Sequence, residues 1–396
     1  MKTSYVNLDL VRSLAVLSVV AAHWWQECVD FHICQWNAAT DMFLRNLSFT
    51  GVMFFFVHTC LVLMLSMHRA PAAHRGRNFL IRRAFRIYPL CWAAILLALA
   101  TGLTDHREQN LHSIGWRGVS ANFLLMQNIA KGFPNIIGPL WSLCYEVQMY
   151  LLLPLLFILL KKFPKRSAVF AAWSAAALLS IVRLPHPLPH TFFAALFPPM
   201  FIAGMVAYKL LEKQSDEKRL ARFPAWIWPF LVIVLFLLKN WAIGKHSYES
   251  SAGACINSCI CLLLAVLIPQ FAELRQAWIV RPAQQLAKYS YGVYLLHIPA
   301  LMFVLRYLPR LSLPLKLIVF LALTAVLAVV SFHAIENPLI ELGKRLTRPR
   351  HASALLPAFA SLPSLAASSM TSLAAADSAR IERIQDAHGL NHYSRI

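Results

Sequence analysis

Apolar residues run along this chain in blocks, each closed by a short polar or basic break. A bilayer-spanning helix needs about 17–25 predominantly apolar residues, and ten blocks approach or exceed that length. They lie near 8–28, 49–66, 87–103, 139–160, 167–184, 191–208, 225–243, 252–272, 289–306 and 314–336. In hydrocarbon, backbone polar groups must be satisfied within a helix or a closed barrel. Blocks of this length predict an all-α integral membrane protein with about ten transmembrane helices. The segment "WRGVSANFLLMQNIA" (116–130) is apolar enough to suggest another span. Counting it would reverse every later loop, so an interfacial or re-entrant helix is expected there.

Composition agrees with this reading. Of 396 residues, 59% are apolar and only 14% charged, against about 25% charged in soluble domains. The net charge of +20 is carried in short blocks between apolar runs, which is the pattern of membrane topology, so nucleic acid is not an expected partner. With the N-terminus cytoplasmic, 23 basic residues fall on the cytoplasmic side and nine on the other. Both ends are then cytoplasmic, and the lipid bilayer is the surrounding medium of a multi-pass protein. Lys2 alone flanks the first block, and no small-residue cleavage site follows Trp24-Trp25. That block therefore reads as an uncleaved span. Residues 1–345 form the expected membrane domain. Residues 346–396, biased to Ala, Ser and Leu, read as a disordered cytoplasmic tail too short for an appended catalytic domain. The eight cysteines have no metal-binding spacing, and no metal is expected. Cys28 and Cys34, flanking His32, could pair on an oxidising side.

Ionisable residues at membrane depth cost roughly 2.5–3.5 kcal/mol on insertion scales, so each is a candidate for function. The first block carries Asp9, Arg12 and His23. Asp9 and Arg12, three apart, can pair on one helix face. Eleven residues from Arg12 to His23 amount to about 20° past three full turns and a rise of about 16.5 Å. Both therefore share one face, with Arg12 near the inner leaflet and His23 in the outer half. The plainer alternative is that Arg12 snorkels to the interface and His23 sits among outer headgroups. Glu146, in "GPLWSLCYEVQMYLLLPLL" (138–156), lies about two turns inside the outer end of its block with no cation in the run. A buried carboxylate needs a partner, and His23 is the expected one; a helix-packing tyrosine is the alternative. "HRAPAAHRGRNFLIRRAFRIYPL" (68–90) holds six arginines and no acid. Arg82, Arg83 and Arg86 line one side of a helix entering the third span, suited to bidentate phosphate binding or to topology and anionic lipid. Further cavity candidates are His58 in "VHTC", Trp141 and Ser142 in "PLWSLC", and Tyr294 and His297 in "SYGVYLLHIP". Glu336, in "HAIENPL", is expected at the inner interface in a structural role.

Taken together these stretches resemble the acyltransferase type 3 family of membrane acyltransferases. The resemblance rests on the basic-x10-His pattern of the first block, "GVMFFFV", "RRAFRIYP", "WSLCYEVQMYL" and "SYGVYLLH", and covers roughly residues 5–345. The chain departs from the family pattern where Thr59-Cys60 replaces a Ser-Gly pair and where Glu146 is followed by Val147, not a second glutamate. The family's frequent hydrolase-like domain is also missing, which reads as a stand-alone member.

The resemblance implies transfer of an acyl group, chiefly acetyl, from cytoplasmic acyl-CoA to a hydroxyl of a cell-surface glycan or glycolipid. Lipopolysaccharide O-antigen and exopolysaccharide are the typical acceptors, and the bacterial inner membrane is the expected location. Acetyl-CoA or another acyl-CoA is then a donor substrate, with no permanently bound cofactor. On this reading Arg82, Arg83 and Arg86 hold the CoA phosphates and Arg12 guides the carrier arm. His23 acts as base or nucleophile with Glu146 orienting it. The competing readings are a transporter or flippase, for which internal repeats would be expected, and an acyltransferase for a lipid or macrolide-like acceptor. The sequence carries no signal for oligomeric state.

Overall fold

The computed structural model describes residues 5–72, 74–104, 111–129, 133–182, 197–216, 221–244 and 250–348. The start of the sixth expected span and the tail from residue 349 lie outside them. Among the described residues there is no strand. The helices are α1 (Val6–Asp30), α2 (Ala38–Arg69), α3 (Arg75–Thr101), α4 (Leu111–Phe123), α5 (Leu140–Lys162) and α6 (Arg166–Val182). They continue as α7 (Pro198–Asp216), α8 (Trp228–Ile243), α9 (Ser251–Leu267), α10 (Ala277–Tyr307), α11 (Leu313–Ser331) and α12 (Asn337–Leu346). Seven stretches are long and apolar enough to cross a membrane: α1, α2, α3, α5, α8 with its leading turn, α9 with its trailing turn, and the run from α11 through α12. The protein is therefore a multi-pass membrane protein. The shorter α6 and the more polar α7 and α10 occupy the remaining expected blocks without combining both properties.

Local chemistry fixes several boundaries. The Asn37 side chain caps α2 by accepting from the Thr40 amide at 2.9 Å, with Asp41 in the first turn and His68 and Arg69 in the last, as the helix dipole favours. α3 stops at Gly102, whose left-handed φ of 66° suits a residue without Cβ. α3 begins at Arg75, well before the apolar block, so Arg82, Arg83 and Arg86 are carried on the helix itself. The 13-residue α4 is too short to span. It breaks at Gly115 and is tied to α3 by the Trp92 indole, which donates to the Phe123 carbonyl at 2.9 Å. The expectation of a non-spanning helix there agrees with this geometry.

α2 is the central post, packing on α1, α5, α7, α8 and α9, while α1 also packs along α10, which in turn packs on α3 and α11. The α1–α2 crossing is close because of Gly51. A Cβ there would clash with Ser18 Oγ and stand 2.7 Å from the Ala15 carbonyl oxygen, the small-residue contact by which membrane helices approach. Between α11 and α12, residues Phe332–Glu336 form a π turn. It carries the chain on instead of ending the span, and it turns Glu336 inward to 2% exposure. Glu336, expected to be solvated at the inner interface, is thus enclosed by protein instead. Cys28 and Cys34 are free thiols.

Candidate active site

α1, α2, α5 and α10 meet around a narrow cavity. Arg12, Ala15, Val16 and Val19 of α1 line it, with Gly51 and Phe55 from α2, Ser142 and Glu146 from α5, and Ser290, Tyr291 and Tyr294 from α10. These α1 positions share the face on which Arg12 and His23 lie. The cavity volume is about 30 Å³, close to one water's share of the liquid. An acyl thioester arm enters only if the helices widen it.

His23 lies one turn beyond this cavity. Its Nδ1 is 2.7 Å from Nε2 of His297 on α10, and the two rings are stacked with centroids 5.0 Å apart and planes 7° apart. His297 is fully buried, and its Nδ1 lies 2.9 Å from the Tyr294 carbonyl oxygen and 3.1 Å from that of Val293. A carbonyl can only accept, so His297 Nδ1 carries the proton and its Nε2 accepts. His23 Nδ1 must then be the donor across the pair, which leaves the lone pair of neutral His23 on Nε2. A second imidazole, anchored to its own helix backbone, sets the tautomer of the first.

A polar track continues from His297 away from His23. The Tyr294 hydroxyl, one turn back on α10, lies 2.6 Å from Ser142 Oγ on α5, and Glu146 follows Ser142 by one turn. The Tyr150 hydroxyl donates to Glu146 Oε1. By helix rise Glu146 sits about 10 Å from the histidine pair, toward Arg12. Three guanidiniums face Glu146 electrostatically: Arg12, Arg86 and Arg83. Glu336 also faces Arg86 and Arg12. Nε of both Arg12 and Arg83 is buried without a hydrogen-bond partner. Unspent guanidinium donors gathered at one end of the cavity suit an incoming anion. Arg12 and Arg83 also lie over the rings of Phe55 and Phe79, at 5.5 and 5.9 Å, which holds their planes.

The fold therefore brings together Arg12, Arg83, Arg86 and Glu146, and separately His23 and His297. The expected His23–Glu146 bond does not form: His23 is bonded to His297, and Glu146 takes Tyr150, four residues on along its own helix. Ser142 and Tyr294 line the cavity. His58 is 5% exposed and faces Arg12 and Arg86 from α2, with its Nδ1 lacking a partner. Asp9 lies electrostatically beside Arg12 and Glu273, without an ion pair within 4.0 Å. Arg82 is half-buried beside Arg83. Trp141 is in an aromatic cluster with Phe49 and Phe197 at 6.1 and 5.9 Å, away from the cavity lining. Residues that the sequence reading missed are Tyr150, recognisable only by its i+4 spacing from Glu146, and Tyr291 and Ser290, which share the cavity face of α10.

Comparison with known proteins places this site in context. The acyltransferase domain family matches residues 5–333. The putative peptidoglycan O-acetyltransferase YrhL of Bacillus subtilis (strain 168) is 23% identical over 384 residues, covering 86% of this chain and 55% of that protein. Peptidoglycan O-acetyltransferase OatA of Listeria monocytogenes is 23% identical over 375 residues, covering 85% and 56%. Acyltransferase MdmB of Streptomyces mycarofaciens is 27% identical over 323 residues, covering 74% and 77%. The chain spans about half the length of YrhL and OatA. No solved structure matches.

Proposed function

The chain belongs to the acyltransferase domain family, and from that premise we propose that it is a membrane O-acyltransferase. It moves an acyl group, acetyl in the first instance, from cytoplasmic acyl-CoA to a hydroxyl of a cell-surface glycan or glycolipid. On this reading the protein crosses a bacterial inner membrane ten times, with both ends of the sequence on the cytoplasmic side.

The observation that carries the proposal is the tautomer-setting contact of His23 with His297. It gives His23 a lone pair on Nε2 and a paired Nδ1–H, the arrangement a general base or a nitrogen nucleophile requires. As a base, Nε2 takes the proton of the acceptor hydroxyl while its oxygen attacks the thioester carbonyl, and the CoA sulfur leaves with that proton. As a nucleophile, Nε2 first takes the acyl group while the CoA thiolate leaves, and the acceptor oxygen then displaces His23 as its proton passes to that thiolate, which restores the neutral imidazole. In either route Nδ1–H bonded to His297 supports the positive charge that develops on the His23 ring. Arg83 and Arg86, with Arg12 nearer the histidines, receive the anionic part of the donor. Glu146 and Glu336 hold those guanidiniums apart and in place when the donor is absent.

The test is transfer from labelled acetyl-CoA by the purified full-length protein, with surface-glycan ester content measured in cells that make it. The wild-type chain is expected to form alkali-labile glycan esters, and His23→Ala to form none. Ester formation by His23→Ala at the wild-type rate would remove the proposed centre.

A further inference from the structure

The face of α1 that runs from Arg12 to His23 continues outward past His23. Asp30 follows His23 by seven residues, about 20° short of two full turns and about 10 Å farther along the axis. Beyond it the chain folds back on the helix end. The amides of Ile33 and Cys34 both donate to the Cys28 carbonyl, at 2.8 and 3.0 Å, and that of His32 to Val29 at 2.9 Å. His32 takes a left-handed φ of 57° to make this turn. The result is an open surface groove lined by the one stretch 29–36, with Asp30, His32, Gln35 and Trp36 among its residues. By its position along α1, His23 thus stands between two very different spaces. One is the narrow, arginine-bearing cavity; the other is a wide groove without Lys or Arg in its walls.

We propose that this groove is the acceptor subsite, taking a sugar ring of a glycan; the proposal rests on the O-acyltransferase reading above. The groove offers what a sugar ring needs. Trp36 is 65% exposed in an irregular segment between Gln35 and Asn37, so its indole presents a flat apolar face to the C–H side of a pyranose. The Asp30 carboxylate accepts from ring hydroxyls, the Gln35 amide both donates and accepts, and the His32 ring does likewise. The wall carries a carboxylate and no cationic Lys or Arg, which favours a neutral polyhydroxyl ligand over a phosphate. Because Asp30 stands about 10 Å beyond His23, the ring held here is not the ring acylated. It is a neighbour in the same glycan, and it sets which hydroxyl reaches Nε2.

The test uses the full-length protein with Trp36→Ala, Trp36→Phe and Asp30→Asn, reading glycan ester content in cells and the melting temperature of the purified protein. Trp36→Ala and Asp30→Asn are each expected to lower ester content by about tenfold, equivalent to about 1.4 kcal/mol. Trp36→Phe, which keeps a stacking ring, restores most of it. Three results overturn the subsite: wild-type ester content in Trp36→Ala, equal losses in the Phe and Ala variants, or a fall in melting temperature in step with the loss of transfer. The last would mark Trp36 as an anchor of the fold. Absence of glycan esters with the wild-type chain would instead overturn the O-acyltransferase reading itself.

Discussion

His23 on α1 and His297 on α10 are 274 residues apart in sequence and 2.7 Å apart between Nδ1 and Nε2, and this contact decides which His23 nitrogen carries the proton. In His297→Ala the imidazole of His23 loses both the acceptor that fixes its tautomer and the support for its charged form. Acid–base groups of this kind contribute about 10²–10⁴-fold. A fall in kcat of about 10² is therefore expected, with KM for acyl-CoA little changed because the arginines are untouched. His297→Gln, whose amide oxygen can accept from His23, should recover part of the loss. Steady-state kinetics on detergent-purified variants, with melting curves as a control, would decide; a rise in donor KM with kcat intact would refute the assignment.

Glu146 predicts a different signature. It lies about 10 Å from the histidine pair, bonded to Tyr150 and facing Arg12, Arg83 and Arg86. Glu146→Gln keeps the size and the tyrosine contact but removes the negative charge. Removing a carboxylate that faces three guanidiniums changes how they meet the donor, so an altered KM for acyl-CoA is expected. The pH–rate profile should keep its wild-type inflection, because Glu146 does not touch His23. A shift of that inflection would show that the carboxylate acts on the imidazole after all.

The contrast between these two residues shows what a sequence can and cannot convey. Arg12 and His23 share a face by helical periodicity alone, and hydropathy marks the apolar elements of the bundle. The partner of His23 is not legible in this way, since nothing local links α1 to a histidine on α10. Depth measured from block ends made Glu146 the expected partner, yet α5 turns it toward Arg12, and Tyr150 one turn on satisfies it. The arginine-rich stretch before the third block read as the start of a helix, and α3 does carry it from Arg75 onward, which delivers Arg83 and Arg86 to the cavity end. Glu336, at the inner end of the last block, reads as solvated from its position alone, yet the bundle encloses it. A π turn is a tertiary accommodation that no propensity announces.

Gly51 gives a test of the cavity's walls. Its missing Cβ lets α2 approach the Ala15 carbonyl oxygen, and Gly51, Ala15 and Arg12 all line the cavity. A larger residue must push α1 and α2 apart or fill the space between them. Overpacking of this kind costs about 1–3 kcal/mol. Gly51→Leu is therefore expected to lower the melting temperature and to abolish acyl transfer, whereas Gly51→Ala should give a smaller effect in the same direction. Wild-type activity and stability in Gly51→Leu would mean that the helices do not touch there.

The ends of α2, α5 and α7 are joined by a single carboxylate, and acid should release them. Glu212 on α7 accepts from Lys161 on α5 and from Lys209 at 2.5 Å. It also accepts from the Tyr208 hydroxyl at 3.0 Å, and that hydroxyl lies 2.8 Å from Nδ1 of His68 on α2. Burial would raise its pKa, but the hydrogen bonds from Lys161, Lys209 and Tyr208 outweigh burial and hold it at about 2, below the ordinary 4.5. A carboxylate with a depressed folded-state pKa stabilises the fold fully above its unfolded value and loses that contribution as pH falls toward the folded one. The clamp should thus hold above about pH 4.5 and weaken progressively toward pH 2. Glu212→Gln leaves Lys161 and Lys209 without their anion, so its melting temperature should be lower than wild type near neutrality. Because the variant has no carboxyl to protonate, the two curves should converge as pH drops from 5 to 3. Other carboxylates titrate in the same window, so the difference between the two melting curves is the readout. A constant difference across that range would mean that Glu212 does not carry the acid dependence of this end of the bundle.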